Sequence, residues 1–182
     1  MLLQGCLGTK QVAATAWSDW LSQVRDPRSV FEKDLTGLKG LLPFIRHSLE
    51  TNGIKVSDEF RVYLQVSSVR EELRSNIYRK ILAGTLLALR SAHCDVIALR
   101  AAALSETVYE KESIRHNHAI ELLVQPSHMQ NAVNALRQLP FQRQEHQRAW
   151  QRDLHPYIHE TGLPLVLHTR LLLLPYYPVN LS

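Results

Sequence analysis

Apolar residues recur every three or four positions through the first half of the chain, a spacing that predicts helices. The stretch Ala16-Trp17-Ser18-Asp19-Trp20-Leu21 lies in an amphipathic segment that should stop by Asp26-Pro27, because a residue preceding proline is pushed out of the helical region. Ser29 is placed to cap a short turn, and Leu35, Leu38, Leu41 and Leu42 then resume helical spacing. Thr51-Asn52-Gly53 reads as a helix-ending turn. From a cap at Ser57 or Asp58, the positions Phe60, Leu64, Leu73, Ile77 and Ile81 predict one long helix reaching about Ser91. Arg61, Arg70, Arg74, Arg79 and Lys80 fill much of the remainder, the pattern of a solvated face and equally of a basic helix beside an anion site.

The period changes after Ala92-His93-Cys94. Asp95 to Leu99 (DVIAL) is a compact apolar run with β-branched residues and predicts a buried strand, followed by a helix over Ala101 to Tyr109 and a charged loop over Glu110 to Asn117. His118 to Val124 reads as the central strand, closed by Gln125-Pro126, with Ser127 capping a helix over His128–Leu139 that sets Met129, Val133 and Leu136 on one side. Phe141 to Asp153 is polar and holds a strand followed by an exposed loop. Tyr157-Ile158-His159 and Leu165–Arg170 flank Glu160-Thr161-Gly162, which predicts a β-hairpin. The expected fold class is α+β, with a helical N-terminal region (1–92) ahead of an α/β domain (93–182) built on a mixed sheet flanked by helices. The tail LLLLPYYPVNLS ends without a helix cap, so the chain is expected to be shorter than the full version of its fold.

Composition narrows the class. A chain of 182 residues with 45% hydrophobic and 21% charged positions can bury an ordinary core, which excludes a disordered protein. A net charge of +4 is a weak pointer to anionic partners, since surface cations usually form a solvated face. Cys6 and Cys94 are far apart and neither sits in a CxxC pair, so neither a disulfide framework nor a zinc site is indicated. The longest apolar runs, such as Leu171–Leu174, are too short to span a bilayer. A cytoplasmic protein without a membrane partner is the expectation.

Three separated motifs add a resemblance. Val96-Ile97-Ala98-Leu99-Arg100-Ala101-Ala102-Ala103-Leu104, then Tyr109, resembles a "v-x-L-K-G-x-x-L…Y" segment; Arg115-His116-Asn117-His118-Ala119-Ile120-Glu121-Leu122-Leu123-Val124 resembles "R-P-M-G-D-I-D-L-L-V"; and Leu165-Val166-Leu167-His168-Thr169-Arg170-Leu171 resembles "V-E-L-H-W-R-L". All three are found, in this order, in an uncharacterised bacterial nucleotidyltransferase family of polymerase-beta-like fold, and Gly40-Leu41-Leu42-Pro43 resembles an "LLP" element of its helical region. The resemblance implies a minimal nucleotidyltransferase fold, and an active member would use magnesium and a nucleoside triphosphate. It places the first metal-binding aspartate on Ala119, the second on Glu121, the third acid on Val166, the Lys-Gly pair on Arg100-Ala101 and the loop glycine on His118.

Those substitutions bear directly on chemistry. Two acids at i and i+2 on a strand point to one face and can share a metal pair. Here that face carries Ala119, Glu121 and Leu123, and alanine offers no oxygen to a hard cation. Glu121 is therefore a weak lone metal ligand, and Arg100, Ala101, Arg115 and His118 are what remains of a nucleotide cradle. Val166 and His168 share a face in an alternating strand, so His168 reaches Glu121 if the two strands pair; such a His–Glu pair can do acid–base work or simply form a hydrogen bond. His155 and His159 have i, i+4 spacing, but Pro156 argues against a helix there. Trp17 and Trp20 are expected in the core. Arg143, Arg148 and Arg152 around Trp150 match no nucleic-acid motif, so a protein partner or a small anionic ligand is expected instead. Two readings follow. The first is a degenerate nucleotidyltransferase acting as a binding or accessory module, favoured because two of the three acid positions, Ala119 and Val166, are emptied together. The second is an active enzyme in which Glu121 and His168 are catalytic, with His118 or His168 as replacement ligand.

Overall fold

Aromatic and aliphatic positions at helical spacing build the first of two units. The computed structural model describes residues 1–35, 37–144 and 154–171. One unit comprises Met1–Ser75 with Tyr109–His116, the other Asn76–Val108 with Asn117–Ser182. In the first, helices α1 (Leu2–Leu7), α2 (Lys10–Gln23), α3 (Pro27–Glu32) and α4 (Leu42–Thr51) precede α5 (Asp58–Ser91), whose first part belongs here. Ala13, Trp17, Trp20, Phe31, Ile45, Leu49, Phe60 and Leu64 form its buried core. Trp17 and Trp20 meet edge to face at 5.8 Å, and Phe31 stacks on Phe60 at 6.1 Å.

Local signals set the helix ends, with two corrections. The cap of α3 is Asp26 rather than Ser29: its carboxylate accepts from the Arg28 amide at 3.1 Å, while the Ser29 hydroxyl donates to the Asp26 carbonyl. Proline's fixed φ suits Pro27 to the first helical position, which makes the preceding residue the cap. Leu35 is almost wholly exposed, and Leu38–Leu41 forms a 3₁₀ turn before α4. The Thr51-Asn52-Gly53 stop is present, with Gly53 at φ +65°. Ser57 caps α5, its hydroxyl accepting from the Phe60 amide at 3.3 Å.

The apolar face expected along α5 holds at its start and again at Ile81, which is half-buried against the core of the second unit, but not between them. Phe60 and Leu64 are buried, whereas Leu73 and Ile77 are 63% and 51% exposed; further along, Tyr78, Leu82, Thr85 and Leu89 are buried instead. The helix carries apolar residues on two sides, and its packing partners decide which one is covered.

Among the described residues, the second unit holds a mixed five-stranded sheet in the order β1-β2-β5-β4-β3: β1 (Val96–Ala98), β2 (Ile120–Val124), β3 (Phe141–Arg143), β4 (Leu154–His159) and β5 (Pro164–His168). Only β2 and β5 run parallel; the other pairings are antiparallel. The described residues of this unit also form helices α6 (Arg100–Thr107) and α7 (Met129–Leu136). The β4–β5 hairpin is as predicted, turning through Gly162 at φ +84°. One face of the sheet, with Ile120, Leu122, Val124, Leu165 and Leu167, is fully buried against Tyr78, Leu82 and Leu89 of α5 and Ala132 and Leu136 of α7.

β1 is an edge strand rather than a buried one, and Ile97 is largely exposed. Ser127 does not cap α7. It lies in a 3₁₀ turn, Pro126–His128, and the helix begins at Met129 with no side-chain cap. Val133 and Leu136 are buried on α7 with Met129 packed beside them, as the spacing predicts. Trp150, Arg148 and Arg152, and most of the tail, lie outside the described residues.

Candidate functional site

Alternation along β2 sends Ile120, Leu122 and Val124 into the core and Glu121 to the opposite face. The parallel register sets Glu121 beside Val166 and Leu123 beside His168. His168 therefore stands diagonally across from Glu121, within reach of a long side chain. Its Nε2–H donates to Glu121 Oε2 at 3.0 Å. The carboxylate can only accept, so this contact fixes the proton on Nε2 of the neutral ring.

Arg100 arrives from the other side. The β1–β2 ladder continues one residue further, the Leu99 amide donating to the Glu121 carbonyl at 2.9 Å. The chain then turns into α6 at Arg100, which takes the left-handed φ of +48°. That turn sets the guanidinium over Glu121, with Nη1 at 3.1 Å from both Oε1 and Oε2. A left-handed non-glycine residue at this point is costly, on the order of 1–2 kcal/mol. The carboxylate is thus held between a cation and an imidazole, its side chain 18% exposed against 12% for His168 and 73% for Arg100.

Tyr78 supports the strand from below, its hydroxyl donating to the Ala119 carbonyl at 3.3 Å. Burial, with the nearby Glu106 and Glu121 carboxylates adding to it, pushes that phenol up to about 12, so it stays a donor. Arg79 pairs with Glu106 at 3.1 Å.

Burial also lowers the His168 imidazole below its ordinary value; the Glu121 carboxylate pulls it back up, and Arg100 adds to the lowering. A depressed imidazole binds fewer protons folded than unfolded, so its contribution to stability is present above the ordinary pKa, about 6.5, and is lost progressively below it. Between about pH 7.5 and pH 5, the urea midpoint of the native chain should therefore fall more than that of a His168→Gln variant. Parallel midpoint curves for the two proteins would contradict the burial argument.

The residues singled out in the sequence divide between the units. Arg100, Glu121 and His168 come together, with Ala101 half-buried behind Arg100 and His118 exposed at the entry to β2. Arg115 belongs to the other unit, where it lies over the Tyr109 ring at 5.9 Å. His116 is in that unit too: its Nδ1–H donates to Glu71 at 2.6 Å, and Arg74 closes on the same ring. His159 ends β4, on the sheet face opposite His168, bonded to Thr161 of the turn. Glu71 and Tyr78 were not singled out in the sequence; each acts across more than 40 positions, and neither shares a strand pairing or a motif with its partner that would announce the contact.

A two-metal centre needs several oxygens converging on one point. Beside Glu121, Ala119 offers a methyl and Val166 an isopropyl group, and both Glu121 oxygens already face Arg100 or His168. The residues present do not fit such a centre, and among the described residues no group of three or more His, Cys, Asp or Glu side chains is placed to hold a metal ion. Nor is any helix among them long and apolar enough to cross a membrane. A protein-family model described as an uncharacterised nucleotidyltransferase matches residues 34–182. No curated protein and no solved structure matches the chain.

Proposed function

We propose, since this chain belongs to the uncharacterised nucleotidyltransferase family, that it has lost metal-dependent nucleotidyl transfer and serves as a binding or accessory module. The observation that carries this reading is the closed group Arg100–Glu121–His168. The one acid left at the metal-binding positions is neutralised by the protein's own guanidinium and takes a hydrogen bond from its own imidazole. Phosphoryl-group transfer depends on charge neutralisation and positioning, usually by divalent metals. A guanidinium with Nη1 3.1 Å from Glu121 supplies that neutralisation to the carboxylate rather than to a substrate. The Arg100 side chain is more than two-thirds exposed, and its other N–H groups, turned away from Glu121, suit a small anionic ligand or an acidic surface of a protein partner. Free thiols at Cys6 and Cys94 fit a reducing, cytoplasmic setting.

A second reading draws on the 3.0 Å His168–Glu121 contact, which has the geometry of an acid–base pair. An active enzyme would then use Glu121 and His168 to transfer a nucleotide to a small molecule or protein. Calorimetric titration of the chain with ATP, GTP, CTP and UTP, with and without magnesium or manganese, separates the two. The accessory reading expects no metal-dependent heat with any of them. Metal-dependent binding of one nucleotide, abolished in Glu121→Ala, would overturn it.

A further inference from the structure

A cavity of about 510 Å³ opens in the helical unit between the C-terminal half of α4, the connection after it and the first two turns of α5. Its residues all belong to the unit Met1–Ser75 with Tyr109–His116, and it shares none with Arg100, Glu121 or His168. The volume falls in the range of about 300–1,000 Å³ typical of small-molecule sites.

Its construction follows from the local chain. Gly53 turns the backbone out of α4, and the Ile54 amide then donates to the Leu49 carbonyl at 2.9 Å, laying 54–57 along the helix end. That sets Ile54 and Val56 beside the outer edges of Leu49 and Leu64, and the four make an apolar floor. The rim carries three cations, Arg46, Lys55 and Arg61, against two anions, Glu50 and Asp58. Arg46 is taken by Glu50 and Arg61 by Asp58, each at 2.7 Å. Lys55 is exposed, and among the described residues no carboxylate stands within ion-pair distance of it. The cavity therefore has an apolar floor and a rim with one uncompensated positive charge.

We propose that this cavity binds an aliphatic carboxylate, with its chain on Leu49, Ile54, Val56 and Leu64 and its head group on Lys55. A neutral apolar molecule would leave the ammonium unused. A cationic amphiphile would meet it head-on, and a doubly charged head would have to compete for arginines already paired. The monoanion is the class that the charge count selects.

The test uses the full chain and decanoate, below its critical micelle concentration, in isothermal titration calorimetry, with decyltrimethylammonium as the opposite-charge probe of equal chain length. Decanoate should bind at one site, and decyltrimethylammonium at least about tenfold more weakly. Lys55→Glu, a surface change that keeps the fold, should weaken decanoate by about tenfold or more. Val56→Asp, which puts a like charge at the floor, should abolish it. Circular dichroism melts of both variants confirm that they are folded. No decanoate heat from the native chain, equal binding of the two probes, or decanoate binding unchanged in folded Lys55→Glu would each overturn the proposal.

Discussion

Replacing Trp17 with alanine is expected to cost the helical unit about 3–5 kcal/mol, enough to consume much of the stability of a domain this size. Trp17 is completely buried and meets Trp20 edge to face. Two features make it more than a large apolar side chain. Gly5 of α1 lies against its indole so closely that a Cβ there would sit 2.8 Å from Cε2. Its Nε1–H donates to the Ser48 hydroxyl at 3.1 Å, and that hydroxyl donates in turn to the Gly5 carbonyl at 2.7 Å. One serine of α4 thereby satisfies a buried donor on α2 and a backbone acceptor on α1. Alanine at 17 opens a cavity and breaks this relay at once. Ser48→Ala leaves the packing intact but strands both partners, which should cost about 1–3 kcal/mol. Urea denaturation of the two variants ranks them, and a Ser48→Ala loss equal to that of Trp17→Ala would mean the relay, not the packing, dominates.

Trp17 and Trp20 are recognisable as core from sequence because aromatic residues three apart on an amphipathic helix share a face. The hairpin and the Glu121–His168 contact are legible for a similar reason. A period of two fixes which residues share a sheet face, and Glu160-Thr161-Gly162 marks where the chain reverses. Once β2 and β5 pair, His168 has nowhere else to go. The long helix shows where that logic fails. Val62, Val66, Val69, Leu73 and Ile77 keep helical spacing yet are exposed, while Thr85 is buried. With apolar residues on two sides, hydrophobicity alone cannot choose the phase. The β1 run has the β-branched content of a buried strand, but its place at the sheet edge depends on strand order, which composition does not encode. The capture of Glu121 by Arg100 and the hold of Glu71 on His116 join residues 21 and 45 positions apart, and no local pattern announces either.

Putting the missing acids back should make metal binding a determinant of stability. Ala119→Asp with Val166→Glu would place one carboxylate two residues before Glu121, immediately ahead of β2, and another directly across the parallel pair. In chelator, three carboxylates on one patch repel, and Arg100 can neutralise only one charge. The double variant should therefore melt below the native chain. Manganese should reverse the order: at about a hundredfold excess over the dissociation constant a ligand adds about 2.7 kcal/mol, roughly 5–10 °C for a chain of this length. Arg100 competes with the ion for Glu121, so adding Arg100→Ala should lower the manganese concentration needed. The native chain, with Ala119 and Val166 in place, should melt at the same temperature with and without the metal. A manganese-dependent rise in the native chain would show that Glu121 still recruits a cation despite Arg100 and His168, and the accessory reading would yield to the catalytic one. If the double variant fails to gain from manganese while folding normally in chelator, the frame around Glu121 has itself moved away from metal geometry, so that more than the acids was lost.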